Sequence, residues 1–332
     1  MLVSADDFER SLDTVRANAA GPREGVFGPA SVTWRVDREA AMFLGAGRAL
    51  LLQLAHPWVA AAIADQSRVF ADPLGRFHRT FKTVFNMVFG TLDQALATAR
   101  RLQQRHATVV GALPAAAGPF AVGSPYYANE ISALRWVHAT LAETALMAHD
   151  LVLPSLADHE REQYWSEARL YAALFGIPRD SLAPDWKSFV AYNEAMAQSD
   201  ALTVSSAARD IARQIFSGGA TRVRPPMWYR ALTAQMLPDR LRTEFELPLG
   251  EAERRSASRA LKWMRRIYPS LPDRLRMVGP YQEALARMEG KNRLSLTTRW
   301  LNQLWIGQPS MGHTRHEAAA QGISKRRDGE ST

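Results

Sequence analysis

The segment Leu134-Arg-Trp-Val-His138-Ala-Thr-Leu141 carries the residue best suited to chemistry. Leu134, Leu141, Ala142 and Ala145 fall on the same helical face as His138, so its imidazole lies inside an apolar stripe. Small residues at 139, 142 and 145 leave room for something flat to approach the backbone. A nitrogen ligand on a wall that excludes water is what a haem-binding helix needs, and a histidine satisfied within the core has the same pattern. A second constellation is Arg76-Phe-His-Arg79-Thr-Phe-Lys82-Thr83. Arg79, Lys82 and Thr83 stand at i, i+3 and i+4, which puts two cations and a hydroxyl on one face. They could bind carboxylates, polarise a developing oxyanion, or form a solvated basic edge.

Two further histidines belong to apolar surroundings. His56, in Leu50-Leu-Leu-Gln-Leu-Ala-His56-Pro57, precedes a proline that frees a carbonyl one turn back, so a structural role at a kink competes with a ligand role. His106 sits late in its helix, where an imidazolium suits the helix dipole. His149 and His159 read as exposed, and His313 and His316 belong to the tail. Spacing alone does not rank the buried candidates. Gly45-Ala-Gly47 mimics the opening of a dinucleotide loop but lacks the third glycine and a preceding strand.

These residues must be positioned by helices. Alanine and leucine dominate, β-branched runs are short, and no Asn-Gly or Asp-Gly turn separates alternating segments. The pattern predicts one long helix over 38–64 kinked near Pro57, then helices over 74–89, 92–110, 129–152, 157–175, 184–198, 204–216 and 250–268. Shorter helical pieces are expected near 4–20, 227–235 and 280–287, with a Pro/Gly/Ala loop over 112–125. The fold class is all-α, a single helical domain.

At 332 residues and 47% apolar composition the chain can bury a sizeable core. It has no cysteine, which excludes disulfides, iron–sulfur clusters, thiolate-ligated haem and Cys nucleophiles. No basic-then-apolar leader and no convincing transmembrane span are seen, which predicts a cytoplasmic protein. The formal charge of +8 is uneven: residues 222–300 hold 17 Lys and Arg against 8 Asp and Glu. The arginines are interleaved with acids and no nucleic-acid motif occurs, so a solvated helix surface is expected there, with peripheral membrane contact as the alternative and nucleic acid not a partner.

The blocks Gly28-Pro-Ala-Ser-Val-Thr-Trp34-Arg, Leu44-Gly-Ala-Gly-Arg-Ala-Leu-Leu-Leu-Gln-Leu-Ala-His56-Pro57, Asp72-Pro-Leu-Gly-Arg76-Phe-His-Arg79-Thr80, His106-Ala-Thr-Val-Val-Gly111 and Leu134-Arg-Trp-Val-His138 resemble the MpaB-type oxygenase family, which includes the latex-clearing rubber oxygenases. The resemblance covers about residues 28–216 and thins over the basic third. It implies a globin-like helical core around haem b, with iron, and oxidation or cleavage of an apolar unsaturated, isoprenoid- or lipid-like substrate by dioxygen. It implies His138 as the metal ligand, Arg79, Lys82 and Thr83 as the catalytic cluster near the haem, and Arg135 as a further cofactor-binding residue; His56 and His106 are candidate cofactor-binding positions for which a distal-pocket and a structural role both stand. The rubber-cleaving members carry a glutamate upstream of that cluster, where Ala60–Gln66 offers only Asp65. Residues 1–27 are expected as an N-terminal helix and linker, 28–306 as the catalytic domain and 307–332 as a disordered tail. A helical haem- or lipid-binding protein without turnover is the alternative function.

Overall fold

Side-chain caps written into the sequence open half of the α-helices. Ser4, Ser31 and Asp72 accept backbone amides at the heads of α1 (Ala5–Asn18), α2 (Val32–Asp37) and α5 (Pro73–Phe89), the last with proline in its first turn. Thr91 and Gln94 form a reciprocal capping box on α6 (Leu92–Thr108), and the Glu130 carboxylate receives the Ser132 and Ala133 amides that begin α7 (Ile131–Val152).

The computed structural model describes residues 1–66, 72–218, 224–291 and 293–312. The remaining helices among them are α3 (Ala46–Leu54), α4 (Pro57–Gln66), α8 (Asp158–Ala173), α9 (Trp186–Gln198), α10 (Ser206–Ser217), α11 (Met227–Gln235), α12 (Asp239–Glu244), α13 (Glu251–Ile267), α14 (Asp273–Arg276), α15 (Gly279–Met288) and α16 (Leu296–Ile306). The fold is an all-α single domain. Its one small sheet among the described residues pairs β1 (Val110–Ala112) antiparallel with β2 (Pro125–Tyr127), pinching the base of the expected loop.

The expected long helix over 38–64 is instead three pieces: a 3-10 turn at Ala40–Leu44, then α3 and α4. Close approach explains the first break. A Cβ on Gly45 would collide with Thr144 of α7, and one on Gly47 with Thr233 of α11. The glycine pair that mimics a nucleotide loop therefore lets α3 lie against two neighbours. The second break is at His56-Pro57, where proline starts a new helix. Buried Arg48 ties the α3–α7–α11 junction, donating to Glu143 at 2.5 Å, Thr144 Oγ1 at 2.6 Å and the Met236 carbonyl at 3.0 Å.

Two buried indoles lock the central layer, Trp34 Nε1 to the Val88 carbonyl at 2.9 Å and Trp136 Nε1 to the Leu52 carbonyl at 2.8 Å. α1 buries Phe8, Leu12 and Val15 in this same core and packs on α8. Gly307, at φ 69°, ends α16, and Ser310 Oγ and Met311 N then bond to the Glu283 carboxylate at 2.6 and 2.9 Å. Residues 307–312, expected as part of the tail, are thus folded onto α15. The rest of that tail, with His313 and His316, lies outside the described residues.

Candidate functional site

α5 and α6 are joined by Gly90 and Thr91 alone, so they run back antiparallel and the first turns of α5 meet the last turns of α6. This brings Arg76 level with Arg105. Burial, then the charges of Arg79 and Arg105, lower the pKa of the Arg76 guanidinium. His106 follows directly. Its ring is only half-buried by surface, yet it is so closely surrounded that desolvation, helped by the Arg105 charge, lowers its pKa to about 4. It is therefore a neutral imidazole at pH 7. Neither ring nitrogen makes a hydrogen bond among the described residues.

Arg79, Lys82 and Thr83 share a face of α5, as their spacing predicts, but each is engaged separately. Arg79 Nη1 bonds Asp72 Oδ2 at 3.1 Å near the surface, Lys82 Nζ donates to Gln308 Oε1 at 3.1 Å, and Thr83 Oγ1 donates to the Arg79 carbonyl at 3.0 Å. The adjoining face of α5 carries an aromatic run. Phe77 and Phe81 lie against Phe43, which stacks on Trp305 of α16 at 3.8 Å.

His138 stands elsewhere. It is 2% exposed, between Trp165 and Tyr171 of α8, and its Nε2 donates to the Ala168 carbonyl at 2.8 Å. Desolvation lowers its pKa to about 4, so it too is neutral, and Nδ1 is buried without a partner. α7 and α5 both pack on α2 and on the Ala40–Leu44 turn, and no contact joins His138 to Arg79, Lys82 or Thr83 among the described residues. Arg135 is turned away, its guanidinium 4.0 Å over the Tyr192 ring.

His56 is buried beside Trp58 and Phe120, its Nδ1 unpartnered and its pKa lowered to about 4 by desolvation, against the opposing pull of Glu130. Nearby on α4, Asp65 accepts the Tyr126 hydroxyl at 2.8 Å. Val109, one residue beyond α6, packs in the same small cluster as Trp58 and Phe120. α4, the β hairpin and the residue after α6 thus pack together, with His56 at the start of α4 and Asp65 near its end. His149, expected at the surface, is buried, with Nδ1 3.2 Å from Asp150, which in turn pairs with Arg161 at 2.6 Å; the small residues around it let α7 bury this face. His159 is exposed as expected.

Two features were not singled out by sequence reasoning. Arg76 and Arg105 become neighbours only through the two-residue turn, a signal present in the 91–94 cap. Asp37 is a fully enclosed carboxyl near Tyr164, Tyr171 and Glu167, its pKa raised to about 7 first by burial and then by the Glu167 charge. A lone acid after Trp34-Arg-Val gave no periodic hint of this.

A catalytic-domain family described as ER-bound oxygenase mpaB/B'/Rubber oxygenase matches residues 34–266. The chain belongs to this family. No curated protein and no solved structure matches it significantly. An oxygenase-type function follows from membership in the MpaB/rubber oxygenase family, while the globin-like arrangement stays an expectation of the resemblance. No helix among the described residues is long and apolar enough to cross a membrane.

A haem ligand needs an outer ring nitrogen with a free lone pair, space for a flat macrocycle, and cations for two propionates. His138 does not meet this in the packing observed. Its Nε2 is spent on the Ala168 carbonyl, and its Nδ1 is buried without a partner among the described residues. His106 meets the first requirement: it is a neutral imidazole without a hydrogen bond among the described residues, next to the Arg105 cation. Among the described residues no three of His, Cys, Asp and Glu gather to hold a bare metal ion, so iron here would bring most of its ligands with it. The two best-formed clefts, about 210 Å³ between α10 and α11 and about 310 Å³ at α14 and α15, adjoin neither histidine.

Proposed function

We propose that the protein is a haem-b-dependent oxygenase that uses dioxygen to oxidise or cleave an apolar unsaturated substrate of isoprenoid or lipid type. The observation that carries the placing of the haem is the open end of the α5–α6 hairpin, where the neutral imidazole of His106 follows Arg105, whose charge also reaches the buried Arg76 guanidinium. Arg76 and Arg105 put cations at this end of the hairpin, and guanidiniums are the side chains best shaped to receive carboxylates such as the two propionates of a haem. His106 is the proposed iron ligand and Arg76, Arg79 and Arg105 the propionate anchors. His56 lies against Trp58 and Phe120, which share an apolar cluster with Val109 just beyond α6. His138 and Arg135, expected at the haem, serve in this reading to hold α7 on α8 and α9.

When bound, the haem supplies the iron at which dioxygen is activated. The chain's own residues prepare the surroundings. Burial keeps His106 unprotonated, so its lone pair is available without competition from a proton. The aromatic run of Phe43, Phe77, Phe81 and Trp305 offers an apolar lining and excludes water. Lys82 and Thr83 lie one turn further along α5, where an ammonium and a hydroxyl can steady developing negative charge on oxygen. Asp65, held by Tyr126, is the carboxylate available where relatives carry a glutamate.

The test is oxygen uptake by the haem-loaded protein against a panel of isoprenoids and unsaturated lipids. Uptake with carbonyl products from at least one, lost in Lys82→Ala while the haem spectrum is kept, supports the reading. Haem bound tightly with no uptake on any would favour the binding-protein alternative.

A further inference from the structure

We propose that the outer face of α16, with the tip of α14 and the first turn of α5, docks the protein on an anionic phospholipid bilayer. α16 turns Thr298, Leu301, Asn302 and Ile306 inward. Leu296, Trp300 and Leu304 follow at steps of four residues, so they form one unbroken outward stripe, 82%, 62% and 45% exposed. Gln282 of α15 joins the start of this stripe to α14: it donates to the Arg274 carbonyl and accepts the Thr298 hydroxyl, both at 3.2 Å. Leu275, 56% exposed, therefore stands beside it. At the far end His78 Nε2 bonds the Leu304 carbonyl at 3.1 Å, which brings up the first turn of α5 with exposed Leu74. Large apolar side chains from three elements thus face solvent together, among the described residues without cover.

The charges around them are positive. Arg274, Arg293 and Arg299 are exposed and make no ion pair among the described residues. The nearby acids are already taken, Asp273 by Arg276 and Glu289 by Lys291. The cleft of about 310 Å³ at the α14 edge is lined by Arg38, Arg274 and Arg276 with Tyr281 and Gln282, large enough for a phosphate headgroup. Glu39 engages Arg38 and Arg276, leaving Arg274 as its free cation. An exposed tryptophan and leucines flanked by arginines match the boundary between headgroups and acyl chains. A second copy of this chain fits less well, because a twofold contact through the stripe would bring the arginines against one another.

The stripe ends where Leu304 and Gln308 touch His78 and Lys82, so the aromatic run beneath α16 lies next to the docked surface. Delivery of a lipid-soluble substrate from the bilayer to that run rests on the oxygenase reading; docking does not.

The experiment is flotation of the full chain with vesicles of phosphatidylcholine containing about a quarter phosphatidylglycerol, beside vesicles of phosphatidylcholine alone. The protein should float with the anionic vesicles and lose much of that binding in high salt. Leu296→Ser with Trp300→Ser should cut partitioning at least about tenfold, and Arg293→Gln with Arg299→Gln roughly fivefold per residue, with unchanged thermal melts. Absence of flotation, or equal flotation by the Leu296/Trp300 variant, overturns the proposal. So does a wild-type dimer, by sedimentation velocity, that the same variant turns into monomer without any lipid binding. Flotation needs neither haem nor turnover, so a failed oxygenase reading leaves this result interpretable.

Discussion

Replacing Asp37 by asparagine should stabilise the protein, and increasingly so as the pH rises. The carboxyl is 8% exposed and makes no hydrogen bond among the described residues, and burial together with the Glu167 charge raises its pKa from 3.8 to about 7. A folded-state pKa above the unfolded value means that the folded chain holds the proton longer. Stability from this group is complete below about 4 and falls as the pH climbs from there to about 7, then levels off. At 1.36 kcal/mol for each tenfold of proton affinity the whole loss is about 4 kcal/mol, and the part lost between pH 5 and pH 8 is about 3 kcal/mol. Asparagine keeps the shape and never ionises. Urea unfolding of both proteins at pH 5, 6, 7 and 8 measures the difference directly. The advantage of Asp37→Asn should grow by about 2–3 kcal/mol across that range. A difference that does not change with pH, or one that shrinks, would refute the reasoning, for it would mean that Asp37 ionises in the folded protein as freely as in water.

The buried histidines act in the opposite sense. His138, lowered to about 4 from 6.5, contributes stability that is present above 6.5 and lost as the pH falls through that window to 4, about 3 kcal/mol in all, so His138→Gln should flatten the acid limb of a pH–stability profile measured by thermal melts. Glu143→Ala removes the carboxylate from Arg48, whose guanidinium side chain is 6% exposed, and should cost about 3 kcal/mol in urea unfolding, whereas Arg48→Met with Glu143→Leu should recover most of it.

Much of the helical frame was legible because its signals are local. Asp72-Pro73, Thr91 with Gln94, and the apolar periods of α7 and α10 each lie within one helix, and the structure follows them to within a residue or two. The break of the 38–64 stretch was not legible, since it answers to Thr144 and Thr233, far along the chain. α16 escaped notice for a related reason: its inward face mixes Leu301 and Ile306 with Thr298 and Asn302, buried against Gln282 and Glu283, while Leu296, Trp300 and Leu304 point out. The site shows the same division. That Arg79, Lys82 and Thr83 share a face could be read from spacing. What each side chain meets could not. His138 lies in an apolar stripe as expected, but the stripe is filled by Trp165, Tyr171 and the Ala168 carbonyl, partners contributed by α8. His106, which spacing alone ranked no higher than its fellows, gains its standing from the turn that folds Arg76 back onto Arg105.

The most direct test is an absorption spectrum of the wild-type protein, His106→Ala and His138→Ala, purified from cells given a haem precursor and recorded before and after dithionite. The wild type should show a Soret band that shifts on reduction. His106→Ala should lose it, and His138→Ala should keep it at reduced thermal stability. A colourless wild type that cannot be reconstituted, or a His106→Ala protein that stays fully loaded while His138→Ala is empty, would contradict the account.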